Sequence, residues 1–279
     1  MKKTQHHNAV HDVLLAVRGG DGVVGGSFMT QFVKHWGKAL TALCLLQAFT
    51  MMKDPANVAE QYKMTVGTGK RLYFIMDFES INMATPWIIL TPFLIRGEGG
   101  GTTVNFALAS SATIYALWIL KTLIDGKNQF QQQNVKMSLM YGLLLLHVVG
   151  AVGGFTNQDW SSIVSQIIAV VYAINGIIGF VSPPTFLKVW GLAAPFTPCE
   201  VYSTEHLGDQ FVFSSVVICS LLNGVPPYKA MGYVTLAASL LIGCALFITK
   251  TFQKNYIPTT LPYCWEGILV FSTFLLLST

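Results

Sequence analysis

Apolar residues fall into eight runs along this chain: Trp36–Met52, Ile81–Ile95, Val104–Leu120, Met137–Phe155, Ile163–Val181, Phe211–Val225, Met231–Ile248 and Trp265–Leu277. A helix needs about 20 residues, within a range of roughly 17–25, to cross a bilayer. The runs of that length carry almost no charge, and their apolar residues surround the helix instead of keeping to one stripe, which is the pattern of a span. The second run is short and holds Pro86 and Pro92, and the sixth is short as well. Prolines are tolerated in a span where neighbouring helices re-satisfy the freed carbonyls. Trp36, Trp160 and Trp265 stand at or just before run starts and Trp118 near a run end, where amphipathic rings favour the headgroup level. Trp87 is the exception, inside the second run, and is expected to pack.

Composition agrees with the pattern. Of 279 residues, 52% are hydrophobic and 11% charged, and the mean hydropathy is +0.53. A soluble domain carries about 25% charged residues, so the chain has too few charges to wet a globule of its size. The expected fold is all-α: a polytopic membrane bundle of about eight transmembrane helices. The net charge of +4 is a weak bias that the positive-inside effect alone produces, and no basic run is dense enough for nucleic acid. Cys44, Cys199, Cys219, Cys244 and Cys264 form no close pair and read as small apolar residues, a Cys199–Cys264 disulfide being open but unsupported.

Shifting the chain by about 129 positions brings Ala109, Ser110, Ala116 and Leu117 onto Ala238, Ser239, Ala245 and Leu246, with Ile119, Lys121 and Thr122 also repeated. The same shift aligns punctuation. Lys53-Asp54-Pro55 after the first run meets Ser182-Pro183-Pro184 after the fifth, each followed by a short amphipathic stretch, and the breaker cluster Gly97–Gly101 meets Asn223–Pro227. The reading is a tandem duplication of a four-helix unit: a tail over 1–33, one repeat over 34–156 and another over 157–279. An even number of spans per unit makes the repeats parallel, with a pseudo-twofold axis along the membrane normal.

A first helix ending at a proline-led amphipathic segment, here Pro55–Met64 and Pro184–Leu192, resembles the small DoxX-like membrane families. The resemblance covers most of each half as an architectural pattern. It implies four-helix units and carries no catalytic motif.

With eight spans both termini share one side. Ten of the 17 Lys and Arg residues then fall in the opposite loops, which favours placing those loops in the cytoplasm or an organelle interior. In the tail, Val13–Val17 is too short for the apolar core of a signal peptide, so the first span is expected to direct insertion. His7 and His11 have i, i+4 spacing but no further ligands nearby, so no metal site is expected.

An ionisable group inside a span is a functional hypothesis by default, and the runs hold few. His147 lies in the fourth run, Gln47 and Asn175 in the first and fifth, and Asn82 near the start of the second. Each is a ligand-binding candidate, against the plainer reading of hydrogen bonds between helices. Asp77 and Glu79 before the second run, Asp209-Gln210 before the sixth and Glu266 at the start of the eighth are either helix caps, favoured by the dipole, or a polar pocket at the mouth of each half. Phosphate-loop, zinc-protease and nucleophile-elbow motifs are absent, and Gly97–Gly101 reads as a turn. No catalytic residue is assigned, and no cofactor is specified.

The sequence thus leads to an integral, multi-pass, transporter-like protein of non-enzymatic type. It would bind or move a small or apolar molecule, a lipid among them, or scaffold a membrane complex with other subunits. The transport version expects a cavity near Gln47, Asn82, His147 and Asn175, with Glu79 and Asp209 at its mouth. The alternative is a membrane enzyme acting on a lipid or quinone, which needs Asp77, Glu79, Asp209 and Glu266 to converge with His206.

Overall fold

A computed structural model describes residues 23–64, 69–96, 101–133, 135–255 and 257–278. His7, His11, most of the tail and residues 97–100 of the glycine cluster lie outside the described residues.

All regular structure among the described residues is helical: α1 (Val23–Lys53), α2 (Pro55–Gln61), α3 (Lys70–Arg96), α4 (Gly101–Gln133), α5 (Met137–Phe155), α6 (Ser161–Val181), α7 (Pro183–Val189), α8 (Pro198–Leu222), α9 (Pro227–Gly243) with a π turn at Cys244–Ile248, α10 (Thr251–Lys254) and α11 (Thr260–Leu277). Six stretches are long and apolar enough to cross a membrane: 70–95 in α3, 101–124 in α4, α5, α6, 227–248 from α9 through the π turn, and α11. The protein is therefore a membrane-type helical bundle. α1 and α8 do not meet that threshold, because Lys34 and Lys38 dilute the first and Glu200, Glu205 and Asp209 the second.

The two short runs lie in the longest-buried helices. The second run is the C-terminal part of α3, which begins eleven residues earlier, and the sixth is the end of α8, which begins thirteen earlier. Asp77, Glu79 and Asp209 therefore stand inside helices and cap nothing, which corrects the capping alternative. The caps fall elsewhere. Thr197 and Glu200 form a capping box at the start of α8, and Asp54 accepts from the Asn57 amide ahead of α2, each satisfying amide groups that a helix start leaves free. Glu266 lies within α11 and accepts from Ser239 Oγ at 2.7 Å.

α3 and α8 pack on one another at the centre of the bundle. In α3, 83% of the apolar stretch is buried, against 33% in α5 and α6. The outward faces of α5 and α6 carry Leu145, Val152, Ile163, Val170 and Ile177, all more than half exposed; contiguous apolar surface of this kind suits lipid and not water. Pro86 and Pro92 sit within α3 without ending it. Pro86 has no amide to offer the Asn82 carbonyl one turn earlier; the Ser214 hydroxyl of α8 lies 3.4 Å from that oxygen and 3.0 Å from the Gln210 carbonyl of its own helix, so its one proton is shared between the two.

α6 and α8 form the most extensive helix pair. A Cβ placed on Gly208 would lie 2.5 Å from Phe180 N and 2.9 Å from Gly176 O. Glycine at these positions is what lets the two backbones touch. All five cysteines are free.

Candidate functional site

A cavity opens beside the α3–α8 pair, between these helices and α1, α9 and α11. About 80 Å³ of its interior admits the centres of water-sized molecules, within about 660 Å³ of unfilled space counting the mouth. One water needs roughly 10–15 Å³ by the first measure, so the cavity holds several waters or a small molecule. Its wall is mostly apolar and aromatic, with Trp87, Phe213, Phe252 and Trp265. Its polar lining comes from Gln47, Tyr62, Tyr202, His206 and Gln210.

The polar end is built from three elements. α8 presents Glu205, His206 and Asp209 within one turn. α3 presents Glu79, whose Oε1 receives a hydrogen bond or ion pair from His206 Nδ1 at 3.2 Å. α10 presents Thr251, whose hydroxyl donates to Glu205 Oε1 at 2.9 Å. Asp209 is 2% exposed, and its Oδ1 has no hydrogen-bond partner. From α1, Gln47 Nε2 donates to Tyr62 Oη at 2.9 Å. Tyr62 lies just after α2, and burial first, then the nearby Glu79 charge, pushes its phenol up to about 12. Among the described residues, no group of three or more His, Cys, Asp or Glu side chains is placed to hold a metal ion.

A second polar network lies on the other side of the α3–α8 pair. His147 Nδ1 meets the Leu143 carbonyl at 2.8 Å. A carbonyl only accepts, so Nδ1 carries the proton, and a neutral ring then accepts at Nε2 from the Tyr172 hydroxyl at 2.6 Å. Tyr115 stacks on the imidazole with centroids 4.2 Å apart and donates to Asn82 Oδ1 at 3.3 Å. Each of these groups is satisfied, and the space among them is only about 20 Å³. The arrangement cross-links α3, α4, α5 and α6.

The expected site residues thus separate. Gln47 lines the large cavity, Glu79 reaches it through His206, and Asp209 stands just behind. Asn82 and His147 belong to the packed network. Asn175 is half-buried, and its amide donates to the Val171 carbonyl of its own helix at 2.8 Å, away from either. Of the acidic residues expected to gather with His206, Glu79 and Asp209 do so. Asp77 instead receives Trp118 Nε1 at 3.2 Å, and Glu266 is held by Ser239. Glu205, Tyr62 and Tyr202 escaped sequence reasoning. Their signal was present: Tyr202, Glu205, His206 and Asp209 recur at spacings of three and four, which places them on one helix face.

The two sides differ for a reason written in the sequence. At the 129-residue offset, Gly176 and Gly208 correspond to Gln47 and Glu79. Where α6 meets α8, glycines close the gap; where α1 meets α3, a glutamine and a glutamate stand in their place, and the cavity lies beside them.

Neither a protein-family model nor a curated protein nor a solved structure matches the chain.

Proposed function

We propose that this chain is an eight-span membrane protein made of two parallel four-helix repeats, and that it binds a small molecule with an apolar body in the cavity between α1, α3, α8, α9 and α11. The observation that carries the reading is that cavity: aromatic along its length, with an ionisable cluster at one end. Pockets that bind small ligands combine apolar walls with a few convergent polar groups in this way.

Several features support the duplication. A helix followed by a proline-led short helix and three further long helices occurs twice, as α1 to α5 and as α6 to α11, the second time with the four-residue α10 before the last. The contacts repeat as well: α1 on α3 as α6 on α8, α3 on α4 as α8 on α9, and α4 on α5 as α9 on α11. α3 and α8, equivalent under the offset, meet at the centre, where a pseudo-twofold axis would run. Arg71 and Glu200 are 129 positions apart and pair with each other, as equivalent positions beside such an axis would. The organisation also keeps the resemblance to DoxX-like units as its working frame. α1 and α8 complete the count of eight: in α8 Glu200 and Asp209 are buried in the bundle, and in α1 Lys34 and Lys38 precede the largely apolar stretch Ala39–Met52.

One observation favours a second reading, an enzyme acting on a lipid or quinone: His206 pairs with Glu79 and shares a chamber lining with Glu205 and Asp209 at the cavity end. The separation of Asp77 and Glu266 from that cluster weighs against it.

The binding reading is tested by occupancy. Ala238 lines the cavity and is 4% exposed, so Ala238→Phe fills it. Protein purified in mild detergent and analysed by native mass spectrometry and solvent extraction should carry a small molecule that Ala238→Phe loses while still folding. Equal retention by both proteins, or an empty wild type, would refute the reading.

A further inference from the structure

Resting on that reading, we infer that the ligand is an amphipathic organic amine, its ammonium group seated between Asp209 and Glu205 and its apolar body in the aromatic cavity. Glu79 pairs with the His206 imidazole, and Glu205 and Asp209 line one small chamber with it. Glu79 has His206 as partner at 3.2 Å, and Glu205 has the Thr251 hydroxyl at 2.9 Å. Asp209 Oδ1 has none, although the residue is 2% exposed. A buried carboxylate oxygen without a donor is costly, and Asp209 faces a space instead of a partner.

That space has a definite size and address. A small chamber of about 10 Å³, lined by Glu205, His206, Asp209 and Thr251, adjoins the large cavity, since Tyr202, His206, Ile242 and Phe252 wall both. Roughly 10–15 Å³ is what one water occupies by this measure, and an ammonium group is of similar size. An ammonium brings three N–H donors and one positive charge, which match an unpartnered carboxylate oxygen beside a second carboxylate. Beyond the chamber, Tyr202, Phe252 and Trp265 line the cavity, and aromatic walls accommodate an apolar chain and tolerate a nearby cation. A metal ion fits less well, because no three acidic, histidine or cysteine side chains among the described residues are placed to coordinate one. An anion would meet three carboxylates.

The test uses the full-length protein in detergent and three probes with the same ring and different heads: 2-phenylethylamine, 2-phenylethanol and 3-phenylpropanoate. Binding is read by calorimetry and by fluorescence of the cavity tryptophans. The amine should bind at least about tenfold more tightly than the alcohol, the scale of one hydrogen bond to a charged group, and the propanoate most weakly. Asp209→Asn keeps the shape and should bring the amine down to the alcohol while leaving the alcohol unchanged. Equal binding of amine and alcohol by the wild type, or an amine preference that survives Asp209→Asn, overturns the assignment, and the cavity reading still stands if Ala238→Phe abolishes all binding. Failure of every probe to bind, or binding unaffected by Ala238→Phe, overturns both. If Asp209→Asn does not fold, the wild-type comparison of head groups decides alone.

Discussion

Replacing Gly208 with alanine adds one methyl group where α6 and α8 cross. The methyl would lie 2.5 Å from Phe180 N, 2.8 Å from Gly179 C and 2.9 Å from Gly176 O. All three are backbone atoms, so no rotamer can relieve the contact. Reaching 3.4 Å, the near edge of ordinary contact, needs local shifts of about 0.5–0.9 Å. Overpacking of this kind costs about 1–3 kcal/mol. Alanine also gains about 1 kcal/mol over glycine in a helix interior, which partly offsets that cost. Gly142 on α5 isolates the gain, because a Cβ there meets nothing within 4 Å. Thermal unfolding of the two variants in one detergent should show Gly142→Ala as neutral or stabilising. Gly208→Ala should fall below it by about 1–3 kcal/mol, with lower midpoint temperature. If Gly208→Ala matched Gly142→Ala, the backbone-to-backbone crossing of α6 and α8 would be wrong, and with it the explanation of why only one side of the α3–α8 pair is open.

Two further predictions concern polar links between elements. Arg71 holds both carboxylate oxygens of Glu200 and donates to the Ala193 and Pro195 carbonyls at 2.8 Å; Glu200 is buried but Arg71 is partly exposed, and Glu200 keeps the Thr197 amide, so Arg71→Ala should cost about 1–2 kcal/mol in chemical denaturation, above an exposed pair and within the range for hydrogen bonds to a charged group; a loss no larger than that of an exposed lysine such as Lys53 would contradict this. Tyr172→Phe leaves His147 Nε2 without its donor and should cost about 1–3 kcal/mol of stability with ligand binding unchanged, and an effect on binding alone would show that the network belongs to the site.

Class and element order were legible from residue pattern. The apolar runs coincide with helices because they are nearly uncharged, the sixth alone running three residues past the end of α8, and Pro55 and Pro183 begin the short helices as proline at a first helical position allows. Helix starts were less legible. Charged residues such as Asp77 and Glu79 interrupt an apolar run in sequence, yet α3 continues through them because it is covered on most sides by other helices. Gln47, Glu79 and Asp209 were legible as polar residues in apolar surroundings. That Glu79 and Asp209 gather with His206 was expected from their shared side; that Gln47 joins them and Asn82, His147 and Asn175 do not was not legible, since these three carry the same signal and serve packing.

By itself, the sequence determined an apolar, all-helical chain, because hydrophobic period, proline position and charge scarcity act locally. The tertiary structure alone decided which polar residues share a space. Glu79 of α3 and His206 of α8 are 127 positions apart and meet because the two helices pack together, while Gly176 and Gly208 bring α6 and α8 into backbone contact on the far side. Local pattern cannot encode that difference, because a cavity is set by how closely two helices approach, and the approach is fixed by side chains brought together from both.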